Sequence, residues 1–171
     1  MFVKAFRILQ ISLVMAGLTL ANTSVADESP DHPAAQAVVE FNEAVTARDM
    51  DTAMGLLADG GVQFHLHPAH PGMSEDIPLT EDMATMWTTV SAILFPTTDS
   101  YERRIEVTNV TADGELAVVW TQTTTVTNRK GVDKEMVLDF SEMYFLVNKN
   151  DSGWKIAGTA TNRPVDEIPV G

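Results

Sequence analysis

Residues 115–163 read ELAVVWTQTTTVTNRKGVDKEMVLDFSEMYFLVNKNDSGWKIAGTATNR. Polar and apolar residues alternate through most of this stretch, and Thr121 to Thr127 is rich in β-branched side chains that favour a pleated surface. Arg129-Lys130-Gly131 and Asn150-Asp151-Ser152-Gly153 interrupt it with hairpin turn signals. A further strand, Ser100–Thr111, precedes it across Ala112-Asp113-Gly114. The reading is four strands, Ser100–Thr111, Glu115–Thr127, Val132–Asn148 and Trp154–Arg163. Turns this short force consecutive strands to run antiparallel.

Before Pro96 the apolar period is closer to 3.6. Ala34, Ala37, Val38, Phe41 and Val45 form one stripe of an amphipathic helix, with Asp31 as the expected cap and Pro33 in its first turn. Asp49 or Asp51 starts a short second helix that Asp59-Gly60-Gly61 is expected to stop. Val62–His67 alternates as a strand, and Pro68–Pro78 reads as a loop. Thr80 is the expected cap of a third helix with the stripe Met83, Met86, Trp87, Val90 and Leu94, ended by Pro96.

The chain has 171 residues, 44% of them hydrophobic, no cysteine and a formal charge of −13. This length and composition describe one globular domain and exclude disulfide scaffolds, thiolate metal centres and thiol nucleophiles. The acidic excess repels phosphate backbones and anionic bilayers, so neither nucleic acid nor a membrane surface is an expected partner. Residues 1–26 have the three parts of a secretory signal peptide. Lys4 and Arg7 precede an uncharged run from Ile8 to Ala21, and Ser24-Val25-Ala26 supplies the small residues of a cleavage site. That run is short of the roughly 20 residues that span a bilayer. The expected product is secreted or periplasmic, with a domain over 27–163 and a loosely held tail over 164–171.

The order helix, helix, strand, helix, then four antiparallel strands resembles the nuclear transport factor 2-like superfamily, in particular its SnoaL-like branch. The resemblance is carried by AVVEFNEAVTARDMDTAMGLLADGGVQF (37–64), by FSEMYFLVNKNDSGWKIAGTATNRP (140–164) and by the tryptophan-bearing final hairpin. It implies an α+β, cone-shaped fold. Three N-terminal helices would pack on a strongly bent, mostly antiparallel β-sheet and enclose a pocket. It also implies homodimers through the outer face of the sheet. Isomerases, dehydratases, hydrolases and non-catalytic binding domains share that fold, so fold alone does not fix function.

Three of the four histidines fall in His65-x-His67-Pro-x-His70. Residues two apart on a strand share a face, so His65 and His67 project together. With His70 they are a possible ligand set for a divalent metal, which Met73, Glu75 or Asp76 could complete. The same imidazoles equally suit general acid–base work, or a half-exposed polar edge. No other cofactor is indicated.

Asp139 and Glu142 are three apart on a strand and so expected on opposite faces, one of them toward the pocket as a partner for His65 or His67. The resemblance adds that enzymes of the superfamily use pocket carboxylates on such strands. Cross-strand pairing with Arg103, Arg104 or Lys134 is the structural alternative. Trp87, Trp120 and Met136 would wall a pocket for a flat apolar ligand, with Gln122 and Tyr144 as hydrogen-bonding groups. Small residues along Ile156–Asn162 are expected to enlarge it. Two function classes follow: a pocket protein for a small, largely apolar molecule, or an isomerase, dehydratase or hydrolase. Periplasmic metal binding is a third.

Overall fold

The computed structural model describes residues 27–28, 30–66 and 78–162. The expected signal peptide, His67, His70, Met73, Glu75, Asp76 and the C-terminal tail lie outside the described residues. In chain order the elements are β1 (Asp27–Glu28), α1 (Pro33–Ala47), α2 (Met50–Gly55), β2 (Leu57–His65), β3 (Thr80–Asp82), α3 (Met83–Thr97), β4 (Thr98–Asp113), β5 (Leu116–Arg129), β6 (Met136–Val147) and β7 (Lys155–Asn162). All seven strands join one sheet in the order β1-β4-β5-β6-β7-β2-β3. Every pairing is antiparallel except that of β2 with β7. The fold is α+β, with a mixed, curled sheet that does not close on itself. No helix among the described residues is long and apolar enough to cross a membrane.

The four long strands stand where alternation places them: β4 runs two residues further at each end, β5 is shifted by one or two, and β6 and β7 are shorter than expected, β6 starting at Met136 and not Val132. Gly114, Gly131 and Gly153, in the connections between them, have φ of 60°, 75° and 92°, the left-handed region that glycine enters most cheaply. The whole expected stripe of α1 is buried against the sheet. Its N-cap, however, is His32 and not Asp31: the imidazole Nδ1 accepts from the Ala34 amide at 3.1 Å. The His32 ring also meets Trp154 edge-on at 5.4 Å. Asp49 caps α2. Asp82, and not Thr80, caps α3 by accepting from the Thr85 amide at 2.8 Å. Pro96 lies inside the last turn of α3, one residue before its end.

A second correction concerns Asp59-Gly60-Gly61. The helix stops earlier, at Gly55, and the glycine pair belongs to β2, where the register against β7 shifts between Leu57 and Val62. The cause is a bulge. Gly60 has φ +72°, and a Cβ on Gly61 would come within 3.1 Å of the Ala58 carbonyl oxygen and 3.2 Å of that of Ile156. Those are backbone atoms of paired strands and cannot move aside. Gly61→Ala is therefore expected to lower stability by about 1–3 kcal/mol. Gly55→Ala, which meets nothing within 4 Å, leaves stability unchanged or slightly raised. Urea titrations of the two variants check this, and equal costs would remove the bulge argument.

Candidate functional site

Alternation along the strands sorts their side chains between two faces. The face toward the helices receives Gln63 and His65 from β2, Tyr101 and Arg103 from β4, and Thr121, Thr123, Thr125 and Thr127 from β5. Glu142 and Tyr144 come to it from β6, and Thr159 and Thr161 from β7. Between this face and α3 lies a hollow of about 300 Å³. Met86, Trp87, Val90 and Leu94 of α3 line one side, and Met136 and Leu138 add apolar surface from β6.

The floor of the hollow is a buried charged network. Arg103 Nη2 donates to Glu142 Oε2 at 2.5 Å, with both side chains under 10% exposed. The same oxygen accepts from Thr123 Oγ1 at 2.9 Å and from the Tyr144 hydroxyl at 2.9 Å, while Oε1 accepts from Thr161 at 3.1 Å. Asn42 of α1 closes the group. Its Oδ1 accepts from Arg103 Nε at 2.6 Å, and its Nδ2 donates to the Tyr144 hydroxyl at 3.2 Å and to the Val38 carbonyl at 2.8 Å. Arg103 also lies over the rings of Trp87 and Phe140, at 5.6 and 5.9 Å, within cation–π range.

Burial works against the charge of Arg103, but the adjacent Glu142 carboxylate and the two tyrosine hydroxyls outweigh it, so the guanidinium holds its proton more firmly than usual. Burial, reinforced by the negative charge of Glu142, pushes the Tyr144 phenol well above its ordinary value. Tyr144 therefore stays a neutral donor.

The predicted site residues divide between the two faces. Trp87 and Met136 line the hollow, and so does His65 at its edge. His65 Nε2 lies 3.2 Å from Glu81 Oε2 on β3. His65 and Glu142 both stand opposite Thr161 in the pairing register, which sets their backbones two strand spacings apart, about 10 Å. Tyr144 is buried behind the floor, bonded to Glu142, and does not line the hollow. Trp120 and Gln122 are on the opposite face: Trp120 is 44% exposed, and Gln122 accepts from Ser141. Asp139 is also outside, held at 2.5 Å by Thr124. It is no partner for His65.

Of the small residues of β7, Thr161 lines the hollow and Gly158 does not. A Cβ on Gly158 would meet the Phe145 ring and Val62, so this glycine makes room for contacts on the outer face. Among the described residues no three histidine, cysteine or acidic side chains are grouped to hold a metal. Asn42 went unread in the sequence, although its signal was present as the one amide on the buried stripe of α1. Of the predicted structural pairings, Glu142 with Arg103 is the one that forms.

No protein-family model matches the sequence, and comparison with curated proteins finds no match. Solved structures do match. A ketosteroid isomerase-like protein from Erwinia carotovora atroseptica is 16% identical with a TM-score of 0.60, over 80% of this chain and 99% of that one. A candidate dehydratase of the NTF2-like family from Streptomyces avermitilis is 18% identical with a TM-score of 0.58, over 80% and 99%. The CaMKII hub of S. rosetta is 14% identical with a TM-score of 0.62, over 81% and 100%.

Two expectations follow from the floor. Arg103→Met leaves the Glu142 carboxylate buried without its counter-charge and is expected to cost about 3–5 kcal/mol. Adding Glu142→Gln to that variant restores part of the loss. A single variant costing less than about 1 kcal/mol, or a double variant no better than the single, contradicts the network. Unfolding also releases the Tyr144 phenol to ionise near its ordinary value of about 10. Its contribution is complete below that pH and shrinks above it. The wild type should thus lose stability relative to Tyr144→Phe as the pH rises above about 10, read by urea unfolding at each pH.

With a curled mixed sheet, a helix-lined hollow and these structural likenesses in agreement, the chain has the fold of the nuclear transport factor 2-like superfamily.

Proposed function

We propose that this is an exported protein that holds a small, largely apolar molecule in the hollow beneath α3 without transforming it. The observation that carries the reading is the state of Glu142. Its two oxygens accept four hydrogen bonds, one from a guanidinium. The protein's own donors thus engage both oxygens of the one carboxylate that faces the hollow among the described residues. Asp139, the other candidate carboxylate partner for His65 or His67, faces away. What the hollow offers a ligand is chiefly apolar surface from Met86, Val90, Leu94, Met136 and Leu138.

Export is supported by the n-region, uncharged run and small-residue cleavage site of residues 1–26. Pairing of two copies is supported by the outer face of β5 and β6, where Trp120 and Met143 stand opposite each other and Phe145 and Val137 are exposed. That a neighbour of the same fold is a CaMKII hub is in keeping with assembly through this fold.

A second reading keeps one observation. His65, with Glu81 at 3.2 Å, is a histidine held by a carboxylate, the arrangement of an oriented general base. Metal binding rests on His67 and His70, outside the described residues.

N-phenyl-1-naphthylamine, a neutral aromatic probe, tests the pocket directly. The expected result is saturable binding near one probe per chain, weakened at least tenfold by Val90→Asp in a variant that still unfolds cooperatively. Absence of binding, or indifference to Val90→Asp, overturns the reading. Mass spectrometry of protein secreted from its host tests the rest. The denatured mass should begin at Asp27, the native mass should be that of a dimer, and Trp120→Glu should give a monomer. A metal adduct lost in His65→Ala, or chemical conversion of a co-purified molecule lost in that variant, would favour the other readings.

A further inference from the structure

Strand β5 carries a polar rail along the wall of the hollow. Thr121, Thr123, Thr125, Thr127 and Arg129 alternate onto its inner face. The first two hydroxyls have partners: they bond each other at 3.2 Å, and Thr123 also bonds Glu142. The next two do not. Thr125 and Thr127 are each 3% exposed, both line the hollow, and neither side chain makes a hydrogen bond among the described residues. A buried hydroxyl without a partner costs about 1–3 kcal/mol. Valine fills the same space without that cost, and β5 places valine at the neighbouring position 126. Two adjacent unpartnered hydroxyls facing one cavity point to a ligand that supplies acceptors.

The rail ends in a charge. Arg129 lines the mouth of the same hollow and is exposed. No acid pairs with it among the described residues, in a chain with 24 acidic and 11 basic residues. Arg103, deeper in, is neutralised by Glu142 at 2.5 Å. The excess charge presented to a ligand from this wall is thus positive and located at Arg129. From Thr125 to Arg129 the rail extends over four residues of strand, about 13 Å. Across from it stand the apolar side chains Met86, Val90 and Leu94.

We infer that the occupant of the hollow is an amphipathic organic anion. Its apolar body lies against α3, its oxygens accept from Thr125 and Thr127, and its acidic group sits at Arg129. This inference rests on the pocket reading above and narrows it to one class of ligand.

The test compares two probes built on the same rings, 8-anilinonaphthalene-1-sulfonate and N-phenyl-1-naphthylamine, which differ by the sulfonate. The full protein should bind the sulfonate at least tenfold more tightly than the neutral probe. Arg129→Gln should erase that advantage while changing neutral-probe binding by less than about twofold, and Arg129→Lys should retain most of it. Thr127→Val should weaken the sulfonate several-fold and leave the neutral probe equal or tighter. If the neutral probe binds and the sulfonate does no better, or keeps its advantage in Arg129→Gln, this inference fails and the pocket stands. If neither probe binds, the pocket reading falls and this one with it.

Discussion

A guanidinium and a carboxylate taken out of water are tolerable only together, and only when the remaining hydrogen-bonding positions around them are filled. Arg103 and Glu142 impose that constraint on this fold. Their partners come from α1 (Asn42), β5 (Thr123), β6 (Tyr144) and β7 (Thr161). A displacement of any of these elements would leave a buried charge short of a donor or acceptor. The apolar core around Phe41, Val38 and Leu146 is more forgiving, because hydrophobic burial has no preferred direction. The network therefore selects one arrangement of helix against sheet.

The same constraint fixes the register of β6. That strand has acids on both faces, Asp139 outward beside Thr124 and Glu142 inward beside Arg103. A slip of one residue would exchange the faces, sending Glu142 to solvent and the outer-face Phe145 and Met143 inward. Arg103 would then be buried alone. The pairing thus explains why one carboxylate of β6 is structural and the other a surface group, which the three-residue spacing alone leaves open. It also closes the floor of the hollow, so that the groups left to meet a ligand lie nearer the mouth.

The hairpins were legible because their signals are local: alternation, β-branched residues and glycines in turns. The stripe of α1 was legible for the same reason. The failures have a common cause, which is that facing depends on the rest of the sheet. In β5, Val118-Trp120-Gln122 and Val119-Thr121-Thr123 are two equally amphiphilic series, and the aromatic residue suggests that the first is internal. In the structure the threonines go inside, where Thr123 donates to the buried Glu142, and Trp120 goes outside. Gly60-Gly61 reads as a helix stop for the same want of context. The bulge it forms exists because β2 must meet β7, a partner 96 residues away over Val62–His65 that runs parallel to it.

The two faces of this sheet are unusual in their polarity. The inner face carries six threonines, a glutamine, a histidine, an arginine and a glutamate, while the outer face of β5 and β6 shows Trp120, Val137 and Phe145 to solvent. Gly158 sharpens the contrast, since its missing side chain lets Phe145 come within 6.5 Å of Phe64. Elsewhere the sheet keeps the usual pattern, with Val119, Leu138, Phe140 and Leu146 inside and Gln122, Thr124 and Asp139 outside. Exposed aromatic residues in a patch gain by being covered by another surface, and unpartnered hydroxyls in a cavity gain by meeting acceptors. The distribution of polarity thus sets two separate demands on one sheet. As proposed above, a second copy would meet the outer demand, and a small molecule with oxygens along one edge the inner.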